Sequence, residues 1–504
     1  MNREMGDVFE RLFCVHPELR YIRRGLPYPG QRPDKLDFFP DVKVIDDAFV
    51  NSNIMYSYEQ LVDKKLTLFN AGAGSPMNIE PYPIASQVLQ EIVYSPELSQ
   101  YQLAAGDLEC REHIAEALKH EGFCIDNGLS SANIIFTHST TEAFDFIVKL
   151  LLRPYDVIIF SGPTYGLFTY VPERNNAISR ILPLDEKDNW LVNPTKLEDM
   201  IVSTNKDLKE LKEKLNLDYQ PCVAAYFNIN PSNPTGKVMT HEHIPILEEL
   251  YKVCVKNEMW IIDDIIYKEL VFDENRKAVA MSTVMGDSKN IITILGPSKT
   301  FGFAGARAGM IIADEVVIRG IRPIIFQHMD STSLFTGKLL DACYGQRNPD
   351  TKKEYQAYFS KIRCDYLRKY NLMRMLIEGK DAVDSTVYEQ FHDQIYHKYP
   401  DEAEDIMEPV DDIKIAGNIY PESGFFLLLD FTASKGKKYR EVTIESERDI
   451  LYFYYVYAYV KLLMGKSIGW PRRDEFVARV SYALEDNEII LMMKQMKDAS
   501  RLLK

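Results

Sequence analysis

Met259-Trp260-Ile261-Ile262-Asp263-Asp264-Ile265-Ile266-Tyr267 begins as a short apolar run and ends on two adjacent carboxylates. An unbroken apolar run of strand length, without alternation, fits a strand buried on both faces. Similar runs stand at Asn133-Ile134-Ile135-Phe136, Val157-Ile158-Ile159-Phe160, Cys222-Val223-Ala224-Ala225-Tyr226-Phe227 and Asn290-Ile291-Ile292-Thr293-Ile294-Leu295, with helical patterns between them. From about residue 131 to 312 the chain therefore predicts an α/β fold with a mostly parallel sheet flanked by helices. Ligands of open α/β sheets bind beyond the carboxyl ends of the strands. The polar motifs of this chain collect there: Ser139-Thr140-Thr141, Asn230-Pro231-Ser232-Asn233-Pro234-Thr235-Gly236, Asp264 and Ser298-Lys299.

Composition narrows the partners. The chain has 504 residues, enough for two or more domains, with 46% hydrophobic and 26% charged residues as in ordinary globular proteins. A formal net charge of −15 disfavours nucleic acid or an anionic membrane surface, both polyanions, as the main partner. Seven scattered cysteines, Cys14, Cys110, Cys124, Cys222, Cys254, Cys343 and Cys364, include no Cys-x-x-Cys pair, so neither a disulfide framework nor a metal site is expected. The start, Met1-Asn2-Arg3-Glu4-Met5-Gly6-Asp7, lacks the apolar run of a signal peptide, and a cytoplasmic location is expected. The apolar stretch 451–464 is too short to cross a bilayer and is read as a buried or subunit-facing helix.

Lys299 lies in Ser298-Lys299-Thr300-Phe301-Gly302-Phe303-Ala304-Gly305-Ala306-Arg307, so an amine, a carboxylate (Asp264), a phenol (Tyr267), an amide (Asn233) and a guanidinium (Arg307) follow from motifs in order. Pyridoxal phosphate needs this set: an amine to condense with its aldehyde, a carboxylate to keep its ring nitrogen protonated, and cations or free N–H groups for its phosphate. The order and spacings, in register from about Asn70 to Ser481, resemble the class I/II aminotransferases, the fold-type-I family of pyridoxal 5′-phosphate enzymes.

The resemblance implies a role for each motif. Lys299 is the Schiff-base lysine; alone it would read as a surface lysine, but Arg307, eight residues on, reproduces the family's lysine-to-arginine spacing. Asp264 pairs with the ring nitrogen, with Asp263 as the fallback, since either could instead cap a helix. Asn233 and Tyr267 hydrogen-bond the cofactor's phenolic oxygen, although Asn233-Pro234-Thr235-Gly236 also has the composition of a plain turn. Ser139, Thr140 and Thr141 open an apolar helix whose N-terminus suits phosphate, as Ser or Thr capping alone would also explain. Arg307 adds the permanent cation. Tyr165 stacks on the cofactor face, and Tyr101 reaches the phosphate of a neighbouring subunit, so a homodimer with shared active sites is expected; either could be plain core among 30 tyrosines. One departure stands out: where the family commonly has a serine three positions before the lysine, this chain has Gly296, leaving backbone N–H groups or Ser298 to serve the phosphate.

On the substrate side, Arg479 matches the arginine that clamps an α-carboxylate, and Asn70-Ala71-Gly72-Ala73-Gly74-Ser75-Pro76 resembles a glycine loop closing over substrate, with Gly74 and Asn233 at the substrate. Arg322 and His328 follow the cofactor arginine where relatives often read the substrate's distal end. The implied domains are an arm plus part of a small domain (1–75), a large cofactor-binding domain (76–328) and a C-terminal small α+β domain (329–504). Segments 204–217 and 381–412 exceed that plan. The implied activity is transfer of an amino group between an amino acid and a 2-oxo acid. Alternatives on the same fold are an aspartate 4-decarboxylase-like, lyase or aminocyclopropane carboxylate synthase-like reaction, or a catalytically silent binding module.

Overall fold

The computed structural model describes residues 58–125, 128–285, 288–345 and 348–504. The N-terminal heptapeptide, Cys14 and most of the expected 1–75 arm lie outside the described residues. A seven-stranded sheet forms the centre, built from β1 (Ile134–Thr137), β2 (Val157–Gly162), β3 (Ile178–Pro183), β4 (Val223–Ile229), β5 (Trp260–Asp264), β6 (Ile291–Leu295) and β7 (Gly309–Ile312). Its order is β1-β7-β6-β5-β4-β2-β3. Strands β3, β2, β4, β5 and β6 pair in parallel, while β7 runs antiparallel to both β1 and β6. The expected mostly parallel sheet is thus present. Strands β3 and β7 escaped the sequence reading because Ser179-Arg180 and the glycine-rich 302–309 stretch interrupt the apolar signal.

Successive residues of each strand enter different cores. Val157, Ile159, Tyr226, Ile261 and Ile291 join a cluster with Trp190 and Leu250 on one face. Ile158, Phe160, Phe227, Ile262 and Ile292 join Phe144, Phe168 and Ile318 on the other. Both faces are dry, which is why no polar alternation marks these strands.

A second, smaller domain holds an antiparallel sheet of β8 (Lys414–Ile415), β9 (Phe426–Asp430), β12 (Leu463–Met464) and β13 (Val477–Ser481), in the order β12-β13-β9-β8, beside the hairpin of β10 (Lys438–Tyr439) and β11 (Val442–Thr443). Helices Pro349–Glu378, Glu447–Ala458 and Asp486–Ser500 bury their apolar faces in its core, which also takes in Phe69, Tyr267 and Leu270. The 451–464 stretch is mostly buried helix, ended by Tyr459 in the left-handed region and followed by β12. Segment 204–217 proves to be the second half of helix Pro194–Leu215, fixed to β3 by the Arg180–Thr204 hydrogen bond of 2.8 Å. Segment 381–412 forms helices Ser385–Lys398 and Ala403–Met407, whose Phe391, Ile395 and Ile406 join the small-domain core. Among the described residues, no helix is long and apolar enough to cross a membrane.

Candidate active site

Strand ends of the large sheet meet the small domain at a pocket. It is lined by Ser139, Thr140, Thr141, Tyr165, Phe168, Ile229, Asn233, Asp264, Ile266, Tyr267, Ser298, Lys299 and Arg307. Residues separated by up to 168 positions in the chain are therefore side by side, because each follows the carboxyl end of a neighbouring strand or the loop after it.

Lys299 follows β6 and is half-buried. Its Nζ donates to the Gly74 carbonyl at 2.6 Å. Burial, with Arg479 and Arg307 adding like charge, pulls the amine down from 10.5 to about 8, so a neutral nucleophile exists near physiological pH. Gly74 stands between two functional groups: a Cβ there would lie 3.6 Å from Lys299 Nζ and 3.8 Å from Arg479 Nη2.

The two carboxylates ending β5 separate cleanly. Asp264 lines the pocket, and burial first, then the Asp263 charge, raises it to about 7. One of its oxygens accepts from the Ile266 N–H at 3.0 Å; no described group donates to the other. Asp263 turns to the opposite face, as strand alternation demands, and accepts from Asn228 Nδ2 and Met281 N–H, both at 2.8 Å. Asp263 is thus committed to the core.

Asn233 joins the two sides of the site. Its Nδ2 donates to the Tyr267 hydroxyl at 3.2 Å, and its Oδ1 accepts from Arg479 Nη1 at 3.0 Å. Arg479, on β13, is 2% exposed and gives Nη2 to the Gly72 carbonyl at 2.7 Å. Its guanidinium lies 4.1 Å from the Phe426 ring centroid, while its Nε has no hydrogen-bond partner among the described residues. A buried cation with a spare donor beside a pocket suits an anionic ligand group.

At the far end, Ser139 caps helix α1 (Thr140–Leu151) by accepting from the Glu142 N–H at 3.1 Å. Its oxygen is used as an acceptor, which leaves its O–H free to donate, so the Ser139, Thr140 and Thr141 hydroxyls and the N–H groups of Thr140 and Thr141 are what this helix end offers to an anion. Ser298 lines the same wall. Arg307 reaches the pocket from a backbone with φ of 54°, a strained conformation for a non-glycine residue, and donates Nη1 to the Ala304 carbonyl at 2.9 Å. Tyr165 precedes helix α2 (Gly166–Arg174), with its ring 5.0 Å from that of Phe168.

Three expected residues lie elsewhere in the chain's own fold. Tyr101 is 89% exposed and outside the pocket. Arg322 and His328 are exposed on helix Glu315–Met329, with His328 against Phe146 and 3.9 Å from Glu142. Conversely, Phe426, Phe168 and Ile229 were not anticipated, since each sits in an apolar run whose other members are core. Among the described residues, no cluster of His, Cys, Asp and Glu could hold a metal ion.

Residues 66–335, more than half of the chain, match the family model "Aminotransferase class I and II", and the chain belongs to that family. Curated relatives include a histidinol-phosphate aminotransferase of Blochmanniella pennsylvanica, 26% identical over 206 residues that make up 41% of this chain and 49% of that protein. An aspartate aminotransferase of Pinus pinaster is 22% identical over 82% of this chain and 70% of its own length. A cystathionine beta-lyase of Bacillus subtilis is 25% identical over 43% and 52%. The chain spans about half the length of the first of these relatives. In fold, it resembles the aspartate aminotransferase of Thermus thermophilus with a TM-score of 0.66 at 15% identity, covering 95% of this chain and 98% of that one.

The family depends on pyridoxal 5′-phosphate, and the pocket's donor set fits that group. A buried amine of lowered pKa, a buried carboxylate with one unpaired oxygen, and a helix N-terminus beside a guanidinium occupy one cavity.

Proposed function

We propose that the chain is an aminotransferase acting on an amino acid and a 2-oxo acid, working as a cytoplasmic homodimer. The observation that carries the reading is Lys299 Nζ, buried and shifted to about 8, in one pocket with Asp264 and one residue contact from Arg479 through Asn233. When bound, pyridoxal phosphate supplies an aldehyde that condenses with amines and a ring that withdraws electrons from the substrate's Cα.

This chain's residues do the rest. Lys299 supplies the amine that holds the cofactor and, once released, the base that takes the Cα proton. Asp264 keeps a proton on the ring nitrogen, because a cation beside it favours its carboxylate against the burial that now raises its pKa. Tyr267 and Asn233 hold the phenolic oxygen, and Tyr165 covers the ring. Ser139, Thr140, Thr141, Ser298 and Arg307 hold the phosphate. Arg479 clamps the α-carboxylate and Gly74 closes over it, while Phe426 under the guanidinium fixes its plane. The free thiols Cys110, Cys124, Cys222, Cys254, Cys343 and Cys364 suit a reducing compartment. The Bacillus subtilis relative keeps elimination as the competing reaction class.

The test is to incubate the loaded protein with each amino acid and a 2-oxo acid, then weigh the products by mass spectrometry. An oxo acid derived from the amino donor, with the acceptor aminated, is expected. Loss of carbon dioxide or ammonia without an aminated acceptor would replace transamination by decarboxylation or elimination. Borohydride reduction and peptide mapping should place the cofactor on Lys299; a different lysine would overturn that assignment.

A further inference from the structure

Two glycines of the β6–β7 region are packed so closely that neither has room for a side chain. A Cβ on Gly309 would come within 2.6 Å of the Ser139 carbonyl carbon and 2.7 Å of the Thr140 nitrogen. One on Gly296 would meet the Ala308 carbonyl oxygen at 2.9 Å and the Thr140 methyl at 3.0 Å. The N-terminus of helix α1 therefore rests directly on glycine backbone, and the space beside residue 296 is filled from across the site by the Thr140 methyl. Threonine carries its methyl and hydroxyl on the same carbon, and a β-branched side chain is stiff about that bond. With the methyl seated against Gly296, the hydroxyl is held in a different fixed direction. No described group hydrogen-bonds it, Thr140 is 8% exposed, and the residue lines the pocket.

We infer that Thr140, anchored by its methyl on Gly296, is the positioned side-chain hydroxyl for the cofactor phosphate, and that Gly296 is required as the seat of that methyl. The inference rests on the pyridoxal phosphate reading of the pocket and goes beyond it by assigning residue 296 a steric role. A serine at 296 would not restore a phosphate ligand. Its Cβ would push against Thr140 and the Ala308 carbonyl, and so displace the helix N–H groups along with the hydroxyl.

The experiment measures the dissociation constant for pyridoxal phosphate by spectral titration of apoprotein, with circular dichroism and a thermal melt on each variant. Thr140→Val keeps the methyl contacts and removes the hydroxyl, and should weaken binding roughly tenfold to hundredfold, the usual worth of one hydrogen bond to a charged group. Thr140→Ser keeps the hydroxyl but loses its anchor, and should fall between parent and Thr140→Val. Gly296→Ala and Gly296→Ser should weaken binding to the same extent as each other. A loaded parent whose Thr140→Val variant binds equally tightly overturns this inference alone, as does a Gly296→Ser variant that binds more tightly than Gly296→Ala. A parent that takes up no pyridoxal phosphate overturns the cofactor reading and this inference with it. Should the Gly296 variants fail to fold, the comparison of valine with serine at 140 still decides.

Discussion

At the scale of single residues, the chemistry depends on charges kept apart from water. Lys299 owes its lowered pKa of about 8 first to burial and then to Arg479 and Arg307. Raising the pH through that value should convert the ammonium to the free amine, so the rate at which apoprotein captures pyridoxal phosphate should climb between about pH 7 and 9 and then level off. Stopped-flow uptake over this range would show it; a midpoint near the ordinary lysine value of 10.5 would contradict the burial argument. Arg479→Met removes one of the two cations and should move the midpoint upward. The same variant should bind amino acids at least about tenfold more weakly, because a charge-assisted pair with the α-carboxylate is lost, while borohydride still traps the cofactor on Lys299. An unchanged amino-acid affinity would place the carboxylate elsewhere.

At the scale of elements, β5 presents two carboxylates and distinguishes them by the pleat alone. Asp264→Asn should retain the cofactor but lose about 10²–10⁴-fold in turnover, the range for removing a positioned acid–base or electrostatic group. Asp263→Asn replaces an acceptor of two buried hydrogen bonds, so it should lower thermal stability by roughly 1–3 kcal/mol while the folded fraction keeps its turnover. Steady-state kinetics beside calorimetric melts would separate the two, and a collapse of turnover in the Asp263 variant with normal stability would reverse the assignment. The strand itself was legible from Met259-Trp260-Ile261-Ile262, since four apolar residues ending in polar ones carry both strand and edge of site. Which aspartate faces the pocket depends on strand phase, and composition does not reveal it. The same limit hid β7, whose Gly309 serves close packing against Ser139 and Thr140 and so, after Gly302 and Gly305, looks like loop. It also hid Phe426, which no local pattern separates from its core neighbours. Ser139 fits both sequence readings at once: its oxygen caps the helix by accepting from the Glu142 N–H, and its O–H remains to donate into the pocket it lines.

At the scale of the whole molecule, the site has a side that the described residues leave open. Arg307 lines the pocket yet is exposed, and Tyr101 stands on a loop with 89% of its surface free, in a stretch where Tyr94 (89%), Leu103 (59%) and Leu108 (47%) are also uncovered. Uncovered apolar residues so close together in sequence are what an interface between protomers would bury. If two copies pair across this surface, Tyr101 of each can approach the phosphate end of the other's pocket and add a donor to its shell. Light scattering should then report a dimer in the active preparation. Tyr101→Phe should leave the dimer intact but loosen the cofactor by roughly 1–3 kcal/mol, the cost of a phosphate oxygen left without its donor, read as faster loss of pyridoxal phosphate on dialysis. An active monomer would remove the basis for a shared site. A dimer that holds its cofactor unchanged without the Tyr101 hydroxyl would keep the interface and leave Arg307, Thr140 and Thr141 to hold the phosphate from within one chain.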